Sequence, residues 1–261
     1  MTQTSHLSSA PLRSVDVSTQ EETRNDLLAA EAPLQISVNG RRYAVLMRTP
    51  STHIESDLDL TAGFLFSEGI IEDRHDFAAL GHCTDPANDL AQHSVIVQLQ
   101  SGAIVPEAIR SLQRSTTVTS GCGVCGRMDV DALSPPFPKR DDYPKPDTDL
   151  IHSLPTELKR LQPLFAQTGG LHGAAVFDVT GQLITSAEDV GRHNAVDKVI
   201  GFCVRNDESV LQGSILVVSS RLSFDLVQKA LMARLGSLVG VGAASDLAHN
   251  IAQKYGLHLF S

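Results

Sequence analysis

The feature that most constrains the fold is the regular exchange of short apolar runs and amphipathic runs over the last ninety or so positions. Residues 174–179 and 182–186 read as strands joined at Thr180-Gly181, and 192–204 as a helix. Residues 214–219 follow as a strand. The next segment, 224–235, is a helix with Leu226, Val227, Ala230, Leu231 and Leu235 on one side. A strand over 237–241, a helix over 245–255 closed by Gly256, and a strand over 257–260 complete the series. A helix over 156–167, ended by Gly169-Gly170, precedes it. Strands alternating with helices can bury their apolar faces only in layers, so residues 151–261 form an α/β half.

The first half has a different grammar. Leu34, Ile36 and Val38 alternate with polar residues, Asn39-Gly40 follows, and Tyr43, Val45 and Met47 resume the alternation, which predicts a hairpin with a tight turn. Ser56 or Asp57 caps a helix through Leu58, Ala62 and Leu65 towards Gly69; 94–100 is a strand and 106–114 a short helix with proline in its first turn. Residues 31–128 thus form a β-rich half. Residues 129–150 carry Pro135, Pro136, Pro138, Pro144 and Pro146 among charged residues and read as an extended connector. Residues 1–30 mix Ser, Thr, Asp, Glu and Arg without an apolar core, the composition of a disordered leader rather than a secretory signal.

A chain of 261 residues with 42% hydrophobic content buries a substantial core, and its net charge of −9 argues against free nucleic acid as a partner. No membrane span is expected. The 4 cysteines are too few for the framework of a secreted disulfide scaffold, so a cytoplasmic location is expected.

Two of those cysteines lie in Ser120-Gly121-Cys122-Gly123-Val124-Cys125-Gly126-Arg127. Glycines without Cβ let another molecule approach the main chain, and Arg127 favours thiolate over thiol at Cys122 and Cys125. Gly121, Gly123 and Gly126 spell G-x-G-x-x-G, but the dinucleotide fingerprint needs a helix opening at the last glycine, and here a proline-rich stretch begins. A structural zinc lacks a second cysteine pair, with His172 or His193 as weak completions. A catalytic zinc of the deaminase type would use His53-Ile54-Glu55 as its H-x-E, yet Gly121 stands where that motif has proline. A redox dithiol wants its pair at a helix start. A sulfur relay needs an exposed thiolate and no metal, which the glycine-rich loop suits best.

The second polar constellation runs from Glu188 through Asp189, Gly191, Arg192, His193, Asn194, Asp197 and Lys198. Helical spacing puts His193 and Asp197 on one face with Asn194 and Lys198 beside them; Gly191 exposes backbone N–H groups to a phosphate and Arg192 clamps it. Val190, Val196 and Val199 already supply a buried stripe, which leaves the polar set to bind a ligand. His172 lies in a glycine-rich turn, and Ser219-Ser220-Arg221 closes a strand where α/β ligand sites tend to lie.

Together these stretches resemble the FdhD family of sulfur carriers required for formate dehydrogenase activity. The resemblance runs through Glu31-Ala32-Pro33-Leu34, Val38-Asn39-Gly40, Leu46-Met47-Arg48-Thr49-Pro50, Gly63-Phe64-Leu65, Ser67-Glu68-Gly69-Ile70-Ile71, the cysteine loop, Thr168-Gly169-Gly170-Leu171-His172 and residues 188–201. It implies a cytidine-deaminase-like layered α/β/α fold without deaminase catalysis, a homodimer, and persulfide sulfur received from a cysteine desulfurase. That sulfur would pass to the molybdenum bis(molybdopterin guanine dinucleotide) cofactor, a bound substrate, for formate dehydrogenase. Cys122 would carry the persulfide and Cys125 assist. The guanine nucleotide portion, for which GDP or GMP is a fair mimic, would be met around Arg192. Two alternatives from other classes are a zinc-dependent deaminase-type hydrolase and a cofactor-binding chaperone without sulfur chemistry. The family usually has Ser-Gly-Arg where Ser219-Ser220-Arg221 stands, and a Gly-Phe and arginine-containing tail beyond the last strand, where this sequence stops at Ser261. Part of the cofactor site is therefore expected to be weakened, lost or supplied by a dimer partner.

Overall fold

The structure, a computed structural model, describes residues 11–18, 23–51, 53, 55–85, 90–100, 137–138 and 142–261. The cysteine loop with Cys122 and Cys125, the helix expected over 106–114 and half of the proline-rich connector lie outside the described residues.

Strands β3 (Ala32–Val38) and β4 (Arg41–Arg48) form the expected hairpin. Asn39 at φ 49 and Gly40 at φ 75 are both left-handed, the geometry whose twist matches the flanking strands. β6 (Ser94–Leu99) adds parallel to β3, and β5 (Phe77–His82) antiparallel to β6, for a sheet order β4-β3-β6-β5. Leu34, Ile36, Val95 and Val97 alternate onto one face and are fully buried. Upstream, β1 (Leu12–Ser18) and β2 (Thr23–Ala29) pair antiparallel where a disordered leader was expected. Their ladder satisfies main-chain groups without an apolar stripe, so the sequence pattern does not reveal it.

The second half carries a five-stranded sheet of order β11-β10-β9-β7-β8. β7 (His172–Phe177), β8 (Leu183–Asp189), β9 (Ile215–Val218), β10 (Ser237–Gly240) and β11 (His258–Phe260) all fall on predicted strands. β9, β10 and β11 are mutually parallel, while β7 runs antiparallel to both its neighbours. Because successive side chains alternate, Ala175, Phe177, Ile215 and Val217 meet Ile151, Leu154 and Leu158 of α2 (Thr148–Arg160) on one face. Ala174, Val176, Leu216 and Val218 enter the main core on the other.

α2 begins eight residues before the sequence reading placed it, because Asp147 caps it by accepting from the N–H groups of Asp149 at 2.8 Å and Leu150 at 3.3 Å. Pro155 sits inside it. α3 (Pro163–Thr168) follows, closed by Gly169.

The main core holds both sheets together through two helices, α1 (Ser56–Ser67) from the first half and α4 (Arg192–Asn206) from the second. They cross at a glycine pair. A Cβ built on Gly63 would stand 1.9 Å from the Asp197 carbonyl oxygen, and one on Gly201 would stand 1.8 Å from that of Asp59. α5 (Phe224–Met232) and α6 (Asp246–Lys254), the latter capped by the Ser245 hydroxyl, complete the layer. The architecture is mixed α/β, as the alternating runs require. No helix among the described residues is long and apolar enough to cross a membrane.

Candidate functional site

The carboxyl ends of β8, β9 and β10 lie at one end of the second sheet, where an α/β sheet tends to present ligand-binding groups. The amino end of the antiparallel β7, His172, lies there too, opposite Asp189. Four of the predicted site residues, His172, Arg192, His193 and Arg221, are on or beside this end, and the helix N-terminus after Gly191 opens onto it.

What fixes that helix N-terminus is Asp189, which is fully buried. One oxygen accepts from the Gly191 N–H and the Asn194 side-chain amide, both at 2.9 Å. The other accepts from the Thr49 N–H at 3.1 Å and stands 2.7 Å from Lys198 Nζ. Lys198 also donates to the carbonyls of Glu188 at 3.1 Å and Thr49 at 3.3 Å, while Asn194 donates to that of Met47 at 2.7 Å. The Val190 N–H closes the set on the Thr49 hydroxyl at 3.1 Å. Met47 and Thr49 of the first half and the β8–α4 turn are therefore one polar unit.

Asp197 faces the other way. Lys229 of α5 donates to its two oxygens at 2.8 and 2.9 Å and the Ser67 hydroxyl donates at 3.0 Å, all buried. Asn194, Asp197 and Lys198, grouped with the ligand-binding set on sequence, thus commit their polar atoms to the protein itself. Burying such groups is tolerable only because they are paired. Glu188 likewise turns inward to accept from the N–H groups of Leu164 at 2.9 Å and Phe165 at 2.7 Å. Burial pushes its carboxyl above the usual range against those two hydrogen bonds.

Apart from the Asp225 carboxylate beside His193, the side chains left at the sheet end are cationic or imidazole. Arg192 and Arg221 form no side-chain hydrogen bond or ion pair with the described residues. Burial, and next the neighbouring Arg192 and His193, hold His172 below the ordinary histidine value, with Asp189 opposing. His193 Nε2 stands 3.6 Å from Asp225 Oδ2, too long for a hydrogen bond and within ion-pair range when the ring is protonated. Gly191 supplies no side-chain cap, so the first N–H groups of α4 have no capping side chain. The Gly173 N–H donates to the Ser219 hydroxyl at 2.9 Å, tying the His172 strand to the Ser219-Ser220-Arg221 turn. That turn is packed so closely on Gly242 that a Cβ there would meet Arg221 Cγ at 2.9 Å. The sum is a positive set of hydrogen-bond donors suited to phosphate oxygens.

The other sequence candidates are dispersed. His53 and Glu55 are exposed, and Glu55 is 3.5 Å from Arg205. Among the described residues no group of three or more His, Cys, Asp or Glu could hold a metal ion. Cys203 is buried in the core, where burial, then Asp59 and Asp207, push its thiol up to about 12, so it is inert as a nucleophile. Asp225 was missed on sequence, since an acid two residues after Ser223 at a helix start reads as ordinary helix-dipole compensation. Asp189 was seen only as a member of a polar run.

The profile of the FdhD/NarQ family matches residues 29–261. The chain belongs to the FdhD/NarQ family. It is 41% identical over 244 residues to the sulfur carrier protein FdhD of Mycobacterium bovis, covering 91% of this chain and 86% of that one. It is 40% identical over 242 residues to the protein of the same name from Streptomyces coelicolor, covering 91% and 84%. The crystal structure of a candidate formate dehydrogenase accessory protein from Desulfotalea psychrophila superposes with a TM-score of 0.68 at 23% identity, over 95% of this chain and 90% of that one. At that identity the superposition speaks for the fold of this FdhD/NarQ member alone.

Proposed function

We propose that the protein is a sulfur carrier that takes persulfide sulfur from a cysteine desulfurase and passes it to the molybdenum bis(molybdopterin guanine dinucleotide) cofactor on its way into formate dehydrogenase. The observation that carries this reading is the unpaired Arg192 and Arg221 beside an uncapped helix N-terminus, in a chain whose family relatives are named sulfur carriers. A guanine nucleotide brings phosphates that need such donors. Cytoplasmic location and a homodimer belong to the same reading.

The sulfur step balances without a metal. The Cys122 thiolate attacks the terminal sulfur of the desulfurase persulfide, that S–S bond breaks, and the desulfurase thiolate leaves. Attack by the Cys125 thiolate on Cys122 Sγ then expels hydrosulfide for the cofactor and leaves a Cys122–Cys125 disulfide, which a dithiol reductant resets.

Mass spectrometry after incubation with a cysteine desulfurase and cysteine is expected to show 1 added sulfur, about 32 Da, on the peptide containing Cys122. Cys122→Ala is expected to abolish both that adduct and the maturation of formate dehydrogenase in cells. An unmodified peptide while the desulfurase turns over, or full maturation with the variant, would exclude sulfur carriage and leave a cofactor-binding chaperone.

A further inference from the structure

The ligand-facing end of the second sheet contains one group that is out of place in an anion site, the carboxylate of Asp225. It lies in the first turn of α5, and its side chain is only 18% exposed. A negative charge held there would repel a phosphate unless it is committed to a cation. The nearest candidate is His193 in the first turn of α4, 12% exposed and 3.6 Å away. Neither ring nitrogen of His193 hydrogen-bonds a described residue, and Nε2, the atom facing Asp225, is buried.

We propose that Asp225 is a positioning residue of this site: it holds the His193 imidazole by its Nε2 edge against α5, so that the Nδ1 edge joins Arg192 in meeting an anionic group of the ligand at the α4 N-terminus. The inference rests on the nucleotide reading of the site given above and adds to it the residue that orients one of its donors.

Three features support the pairing. Asp225 is held below the usual carboxylate range, most strongly by His193 and further by Arg192, although burial works the other way. It therefore stays ionised and available to the ring. Its seat in the first turn of α5 puts it at the positive end of that helix, which favours the same charge state. The groups around the ring are otherwise of one kind: His172 comes from β7 and Arg192 from α4, while Asp189 of β8 is committed to Lys198 at 2.7 Å. Arg192 and Arg221 have no hydrogen-bond or ion-pair partner among the described residues and are the charge that an anion meets. A carboxylate at one edge of an imidazolium fixes the ring's orientation and favours its charged form, in which the other edge also carries an N–H for an anion.

The test is a double-mutant cycle on the full-length protein with GDP as the probe, measured calorimetrically. Asp225→Asn and His193→Ala are each expected to weaken GDP binding by about tenfold, the scale of one charge-assisted contact. In the His193→Ala background Asp225→Asn is expected to change nothing further, and Asp225→Glu to restore part of the affinity in the His193 background. In the GDP complex of the wild type, ¹⁵N NMR is expected to find both His193 ring nitrogens protonated and the Nε2 shift moved by Asp225→Asn. Additive losses in the cycle, or an imidazole spectrum indifferent to Asp225→Asn, would overturn the positioning role while leaving the nucleotide reading intact. A wild-type protein that binds no GDP would instead overturn the nucleotide reading and the inference with it. Equal thermal midpoints for wild type and variants separate either outcome from a folding defect.

Discussion

Asp189 shows how one residue decides whether a polar run is a binding site or a joint. Read along the chain, residues 188–198 offer charges, amides and an imidazole in a row, and nothing in spacing alone says which of them turn inward. The partners that answer the question, Thr49 and Met47, are about 140 residues away in sequence and invisible to periodicity. What was legible is the subset with no internal partner, because a glycine followed by arginine at a helix start leaves donors exposed by construction. Asp189 accepts from Thr49, Gly191 and Asn194 and pairs with Lys198, so its substitution tests the joint. Asp189→Asn keeps the shape but strands the buried Lys198 ammonium, and it is expected to cost about 3–5 kcal/mol in urea unfolding. A loss below about 1 kcal/mol, the range of a solvated surface pair, would mean that the joint is not held by this charge.

Among the elements, the glycines of α1 and α4 permit a close helix crossing, and they do so through what they lack. A methyl group on Gly63 has nowhere to go, since Asp197 and Gly201 present backbone and not flexible side chain. Gly63→Ala is expected to cost at least about 3 kcal/mol, above the ordinary range for overpacking, with the urea midpoint as readout. Gly81→Ala, with nothing within 4 Å of the added carbon, is the control and is expected to stay within about 0.5 kcal/mol. Equal behaviour of the two would count against the close crossing. These elements also mark where local pattern suffices. β3, β4 and β7 to β11 follow from alternation and turn residues, whereas α2 was started late because Pro155 masks a helix whose Ile151, Leu154 and Leu158 already fall on one face. β5 stayed hidden because its own residues are half-exposed or exposed, with no buried stripe to read.

At the level of the whole molecule, the division into a β-rich half and an α/β half describes the chain but not its cohesion. Leu60 and Leu65 of α1 share a core with Val199 and Ile200 of α4, and the buried Asp197, Lys229 and Ser67 cluster ties the same helices to α5. Thr49 joins the end of the first sheet to the turn that carries Arg192 and His193. The placement of Arg192 and His193 thus depends on the first half being folded, even though both are encoded in the second. Folding energy shared in this way makes the halves one cooperative unit rather than two. Urea unfolding followed by circular dichroism is expected to give a single transition, and native-state hydrogen exchange to give matching opening free energies for slow amides in β3 and β9. Asp189→Asn is expected to lower both sets together. A fragment spanning 142–261 uncovers the face of α4 that α1 buries, and it is expected to lack protected amides in β9. A fragment that folds with native protection, or a full chain that melts in two steps, would mean that the first half is an appendage and that the donors around Arg192 are positioned without it.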